Sequence, residues 1–222
     1  MPPPLPDQAE TFAEEMTRLL AATISDNVEM QVVAVESNDE PTQYVIGNRI
    51  GGEAQHPVEQ MRGEHIPIEN CPNLALRTSW VFVPSTSGEW IKVQWSQFGL
   101  FVKRKTDWTP FVRLEVDPTK DEWASAHFNI TAESSLLGYI WGRTDNPNRR
   151  LQSLHFPVGG FRFRPCLEDF LEFLIDERLI PAREGWKEAL QPTRDTYRKK
   201  QLEGMIAKHP DVAERVLERL RK

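Results

Sequence analysis

Two short runs of strict alternation hold the side chains best suited to acid, base and charge-stabilising chemistry. In residues 111–117, FVRLEVD, Arg113, Glu115 and Asp117 fall on one face of a strand, with Val112, Leu114 and Val116 on the other. In residues 126–131, AHFNIT, His127, Asn129 and Thr131 share a face opposite Ala126, Phe128 and Ile130. If these strands pair as a hairpin, one sheet face gathers an arginine, two carboxylates, a histidine and an amide. With His155 brought alongside, His127 and Glu115 or Asp117 would make the kind of set that a metal-dependent phosphodiesterase or nuclease uses. The same alternation is what any half-solvated antiparallel sheet displays. No H-E-x-x-H, H-x-x-x-H, C-x-x-C or G-x-S-x-G occurs, so neither a metal nor any other cofactor is expected, and no serine nucleophile is marked.

A second set points to anions. Residues 143–164 carry Arg143, Arg149, Arg150, Arg162 and Arg164 against the single Asp145, and His155 and the pair Gly159-Gly160 lie among them. Arginine offers planar donors to phosphate or carboxylate, glycine lets a backbone come close, and a helix follows directly. Pro165 removes one amide from that helix start, and no Lys-Ser/Thr follows, so this is not a nucleotide-binding fingerprint. Trp80, Trp90, Trp95 and Trp108, near Lys92, Lys103, Arg104 and Lys105, could stack single-stranded nucleic acid, although tryptophans in a small sheet also serve as core.

The elements that position these residues follow from periodicity. Phe12, Met16, Leu19, Leu20 and Ile24 recur at helical spacing, predicting a first helix from Ala9 to about Asp26-Asn27 after a disordered Pro-rich stretch, residues 1–8. Strands are predicted at residues 28–35 and 43–46, then at 80–83, 90–95, 98–103, 109–116 and 126–131. Chain neighbours of this kind form a meander. Residues 47–73 are a glycine- and proline-rich loop with at most a turn of helix at 58–61, and residues 151–156 read as a short apolar strand. A helix near 165–179 carries the stripe Leu167, Phe170, Leu171, Leu174 and Ile175, with Pro165 at its first position and Cys166 buried at its start. Helices at 193–208 and 210–220 close the chain as a hairpin, the second with Val212, Val216, Leu217 and Leu220 on one face.

These elements predict an α+β fold. An antiparallel meander of five or six strands packs with the N-terminal helix and the long helix, within a domain at 9–182 and a helical extension at 183–222. That extension would pack on the domain or on a partner, through self-association or a second protein. The chain of 222 residues is 39% apolar and 27% charged, a globular composition. Its net charge of −6 hides a gradient: residues 1–70 total −10 and residues 183–222 total +4. Non-specific coating of nucleic acid by the whole surface is thereby disfavoured. The start lacks the pattern of a signal peptide and no run is long enough for a membrane helix, so a cytoplasmic location without a membrane partner is expected. Two distant cysteines make a disulfide framework improbable. The function expected from these features is that of a non-catalytic binding or adaptor protein. It would recognise an anionic ligand, nucleic acid or acidic protein surface through the arginine-rich loop, with the phosphodiesterase as the alternative.

Overall fold

The computed structural model of the chain describes residues 1–51, 58–118, 124–131, 156–159 and 163–221. Its fold is α+β, with one antiparallel sheet and helices at both ends of the chain. Helix α1, Leu5–Thr23, starts earlier than periodicity suggested, because Pro6 falls in the first turn, where a missing N–H costs nothing. Gln8 then ties that turn to a hairpin tip 80 residues on: its side-chain oxygen accepts from the Ile91 amide at 3.1 Å, and its nitrogen donates to the Glu89 carbonyl at 2.8 Å.

Eight strands form the sheet among the described residues: β1 (Met30–Val35), β2 (Gln43–Asn48), β3 (Ile66–Ile68), β4 (Cys71–Pro84), β5 (Ile91–Arg104), β6 (Asp107–Val116), β7 (Ala126–Ile130) and β8 (Phe156–Pro157). Their order is β1-β2-β4-β5-β6-β7-β8, and β3 pairs with β4 beside β2. The strands from β4 to β7 are the expected meander. The count exceeds five or six because β3 and β8 are too short to leave a periodic signal. The two runs at 90–95 and 98–103 are one strand, β5, since Ser96 and Gln97 lie buried in its middle rather than in a turn. Bulges between Val81 and Phe82 and between Leu100 and Phe101 let these long strands stay paired as they twist.

One face of the sheet is apolar and covered by helices. Trp80, Phe82, Phe98, Leu100, Val112 and Leu114 meet Met16, Leu20, Phe170, Leu171 and Leu174 there. Helix α2 spans Leu167–Asp176, so the expected helix at 165–179 is shorter at both ends. Its N-cap is Cys166, whose amide donates to Asp169 Oδ2 at 3.1 Å, which leaves Pro165 just outside; beyond its end, Arg178 adopts φ +57° and turns the chain away. Helix α3, Trp186–Lys208, begins seven residues before the expected start at 193 and carries Pro192 within it. Leu190, 1% exposed, is packed into the core and offsets the hydrogen bond that Pro192 removes. Arg194, its side chain 7% exposed, fastens α3 to α2 through Asp169 at 3.3 Å and Glu172 at 3.0 Å. Helix α4 is Pro210–Leu220. No helix among the described residues is long and apolar enough to cross a membrane.

Candidate functional site

The sheet face turned away from the helices is divided in two. At the β1–β2 end, Val35, Val45, Ile50, Val58, Met61, Val81 and Trp95 close into a small second core. The loop after β2 makes the lid, and glycine is what seats it. A Cβ on Gly63 would run into the backbone nitrogen of Asn48 and lie 2.6 Å from its carbonyl oxygen, and one on Gly47 would lie 3.1 Å from the Gly63 nitrogen. The two backbones touch, and Glu64 donates its amide to the Asn48 carbonyl at 2.7 Å. Arg62 lies over the Trp95 ring, 4.3 Å from its centre.

At the other end the face is polar. Strand pairing aligns Ser79, Gln97, Glu115 and His127 in one row across β4, β5, β6 and β7, and Arg77, Gly99, Arg113 and Asn129 in the next. The hairpin expected from alternation therefore forms, with Glu115 opposite His127 and Arg113 opposite Asn129. Sequence reasoning missed the β4 contribution, Arg77 and Ser79, and also His65, which the lid delivers from outside the sheet.

Glu115 is the hub of the first row. It accepts from Gln97 Nε2 at 2.8 Å, pairs with Arg113 at 3.2 Å and faces His127 Nε2 at 3.7 Å. Burial alone would raise its pKa, but the hydrogen bonds from His127 and Gln97 and the charge of Arg113 outweigh it and hold the carboxyl below its ordinary value. His127 is fully buried, and its Nδ1 donates to the Ala124 carbonyl at 2.7 Å. Nδ1 is thus committed to the backbone while Nε2 is turned toward Glu115, an arrangement that suits positioning the carboxylate more than passing protons to a substrate.

The second row is different: Arg113 pairs with Glu115, but Arg77 enters no ion pair among the described residues. Arg77 lies 4.5 Å over the Phe101 ring, its Nε is buried, and no acceptor meets that nitrogen among the described residues. Burial, and then the positive charge of Arg113, lower its pKa from the usual guanidinium value. Gly99 lies between the two arginines in register, and the space a side chain would occupy there is taken by the Phe101 ring at 2.8 Å and the Arg113 stem at 3.1 Å. His65 stacks on Trp108 with 4.8 Å between ring centres and 19° between planes, and meets Phe101 edge-on. Burial, followed by the Arg77 charge, brings its imidazole down to about 4, so the ring is neutral at pH 7. Its Nε2 and the Ser79 hydroxyl are also buried without a partner among the described residues.

Other expected site residues lie elsewhere. Asp117 closes the turn after β6, its amide donating to the Ser125 carbonyl at 2.8 Å. Gly159 has φ +66°, and a Cβ there would collide with the Phe163 backbone, so this glycine serves the turn. Arg164 belongs to the helical side of the molecule: its guanidinium lies 5.8 Å from the centre of the Tyr197 ring, and its carbonyl accepts from Gln201. Arg143, Arg149, Arg150, His155, Gly160 and Arg162 fall outside the described residues. The tryptophans do not form a platform, since Trp80 faces the helices, Trp95 faces the second core, Trp90 is exposed beside the hairpin tip and Trp108 stacks on His65. No group of three or more histidine, cysteine or acidic side chains that could hold a metal occurs among the described residues. Cys166 is buried, and burial foremost raises its thiol pKa far out of the reactive range.

Comparison with known proteins gives no lead. No family model, curated protein or solved structure matches the chain.

Proposed function

We propose that the protein binds an anionic group, a phosphate or a carboxylate, at the polar end of the sheet face opposite its helices, and acts as a binding protein for the molecule that carries it. The observation behind this reading is Arg77: a guanidinium with its Nε buried and unpartnered among the described residues, set beside a second arginine of the same charge. A buried polar atom left without a hydrogen-bond partner costs on the order of 1–3 kcal/mol, so a fold that retains one has a use for it. Three buried polar atoms on this face, Arg77 Nε, the Ser79 hydroxyl and His65 Nε2, have no partner among the described residues and could answer an anion, and Arg113, its side chain 31% exposed, marks the way in.

A phosphate or carboxylate matches the planar donors of the arginine, while Glu115 keeps Arg113 oriented. The acidic N-terminal third argues against nucleic acid as the ligand, and the nitrogens of His127, turned to the Ala124 carbonyl and to Glu115, give the phosphodiesterase reading no support.

Inorganic phosphate, pyrophosphate and citrate serve as probes in thermal denaturation and calorimetric titration. The wild-type melting temperature is expected to rise with probe concentration, by about 2.7 kcal/mol of stability at a hundredfold excess over Kd, and affinity should fall as salt is raised. Arg77→Met should keep or increase the melting temperature without ligand, because it removes a buried polar atom that has no partner among the described residues, while weakening probe binding about tenfold or more. Wild-type protein indifferent to all three anions, or a variant that responds as wild type does, rules the proposal out.

A further inference from the structure

The end of the chain is built as amphipathic helix yet buries almost nothing. Among the residues of α3, only Leu190 and Arg194 are buried, both in its first half, and no residue of α4 is. Leu202, Ile206, Val212, Val216, Leu217 and Leu220 are between 37% and 79% exposed. Leu202 and Ile206 are one turn apart on α3, and Val212, Val216 and Leu220 lie one turn apart along α4, so each helix carries an exposed apolar stripe on its own side of the connection at His209. At the root of this arm, Leu202 and the exposed Phe163 line a shallow cleft of about 360 Å³ together with Pro165 and Gln201. A helix of 11 residues is marginal alone in water, and its stability normally comes from packing an apolar face.

The charges on α4 say what could cover that face. Asp211, Glu214 and Glu218 balance Arg215, Arg219 and Arg221, and none of the six enters an ion pair among the described residues. Glu214 and Glu218 stack one turn apart, as do Arg215 and Arg219, so like charges are neighbours within the helix, which is mildly unfavourable in isolation. A strongly acidic or strongly basic partner would gain nothing from such a surface. A second copy would, because the acidic column of each helix can meet the basic column of the other while the apolar stripes close between them.

We infer that the arm formed by the second half of α3 and by α4 is a self-association surface, joining two copies of this chain through their α4 helices. The contact would be a modest one, centred on the six exposed apolar residues Leu202, Ile206, Val212, Val216, Leu217 and Leu220.

Sedimentation equilibrium of the full chain, over roughly 1 µM to 1 mM, where modest interfaces dissociate, should show a dimer. Val216→Glu with Leu217→Glu, both on the exposed stripe, should give a monomer with an unchanged sheet spectrum. The decisive arm of the experiment exchanges charge. Arg215→Glu/Arg219→Glu makes α4 wholly acidic apart from Arg221 and Lys222, and Glu214→Arg/Glu218→Arg makes it basic apart from Asp211. Each variant alone should associate at least tenfold more weakly than wild type, and an equimolar mixture should recover a mixed dimer. A wild-type chain that stays monomeric over the whole range overturns the inference. So does a mixture that fails to associate, because then the surface is not matched to its own copy.

Discussion

The sheet face away from the helices is made by the same strands at both ends, yet one end is sealed and the other is left with donors unanswered. At the β1–β2 end, apolar side chains meet a lid that two facing glycines bring into backbone contact. In the rows that run from β4 to β7, buried polar groups replace them, and only part of that set is satisfied: Glu115 has three partners, whereas Arg77, Ser79 and the lid's His65 each keep a buried polar atom without one among the described residues. A fold tuned for stability alone would treat both ends alike, because hydrophobic replacement of unpaired buried polar groups is neutral or favourable. The contrast separates a part of the face that holds the protein together from a part that leaves buried polar atoms unpaired, the cost that the proposed anion binding would repay.

The largest effect that breaks this contrast is a truncation in the sealed end. Trp95 is 5% exposed in the second core, so Trp95→Ala should cost about 3–5 kcal/mol, or roughly 10 °C in melting temperature for a chain of this size. Probe affinity of the protein that remains folded should be unchanged, since Trp95 packs within the second core and under Arg62 rather than forming a hydrogen bond to the anion's proposed donors. Calorimetric unfolding followed by titration well below the new melting point checks both halves. If affinity falls with stability, the two ends are one cooperative unit and the division is mistaken.

Acidification probes the boundary between the ends, where the lid places His65 on Trp108. The unfolded imidazole takes up its proton near 6.5 and the folded one only near 4, so between these values the unfolded chain binds more protons. Stability from this group is therefore complete above about pH 6.5 and is lost as the pH falls toward 4, by about 2 kcal/mol at most given the partial exposure of the ring. Glu115 acts in the same direction further down, its contribution disappearing as the pH drops below the ordinary carboxylate value of 4.5. Denaturant titrations at pH 7 and 4.5 should show His65→Phe losing less stability than wild type, because phenylalanine keeps the stacking without the proton. An equal loss in both proteins would place the acid sensitivity elsewhere.

Much of this organisation is visible in single strands, and the missing part is not local. Alternation in residues 111–117 and 126–131 is enough to place Arg113 and Glu115 beside Asn129 and His127, because two strands joined by a short connection pair with few alternatives. Arg77 and Ser79 were hidden because β4 is apolar on both faces around Trp80 to Val83, where helices cover one side and the second core the other, so the polar face shows only in its first half. The row from Arg77 through Gly99 to Arg113 depends on the register across β4, β5 and β6, and hence on bulges that leave no mark in composition. His65 was unreadable for another reason: it sits in a loop whose course is set by contact between Gly47 and Gly63, two residues without side chains. The arginine-rich segment drew attention by composition, whereas the site rests on two arginines that composition does not single out.

The smallest effect sharpens the comparison most, because its sign differs from that of ordinary core mutations. Ser79 is 1% exposed, and its hydroxyl has no hydrogen-bond partner among the described residues. Removing a buried hydroxyl that makes no bond relieves a desolvation cost and leaves a cavity of only one oxygen atom, so Ser79→Ala should leave stability unchanged or raise it by about 0.5–1 kcal/mol. In the presence of an anionic probe the order should reverse, with the alanine variant gaining less from ligand than wild type because one donor is missing. Paired denaturation curves with and without pyrophosphate measure both signs in one experiment. A variant less stable than wild type without ligand would mean that the hydroxyl is already bonded in the free protein. In that case only Arg77 and His65 would be left with a buried polar atom that lacks a partner among the described residues, and an anion would meet two waiting groups rather than three.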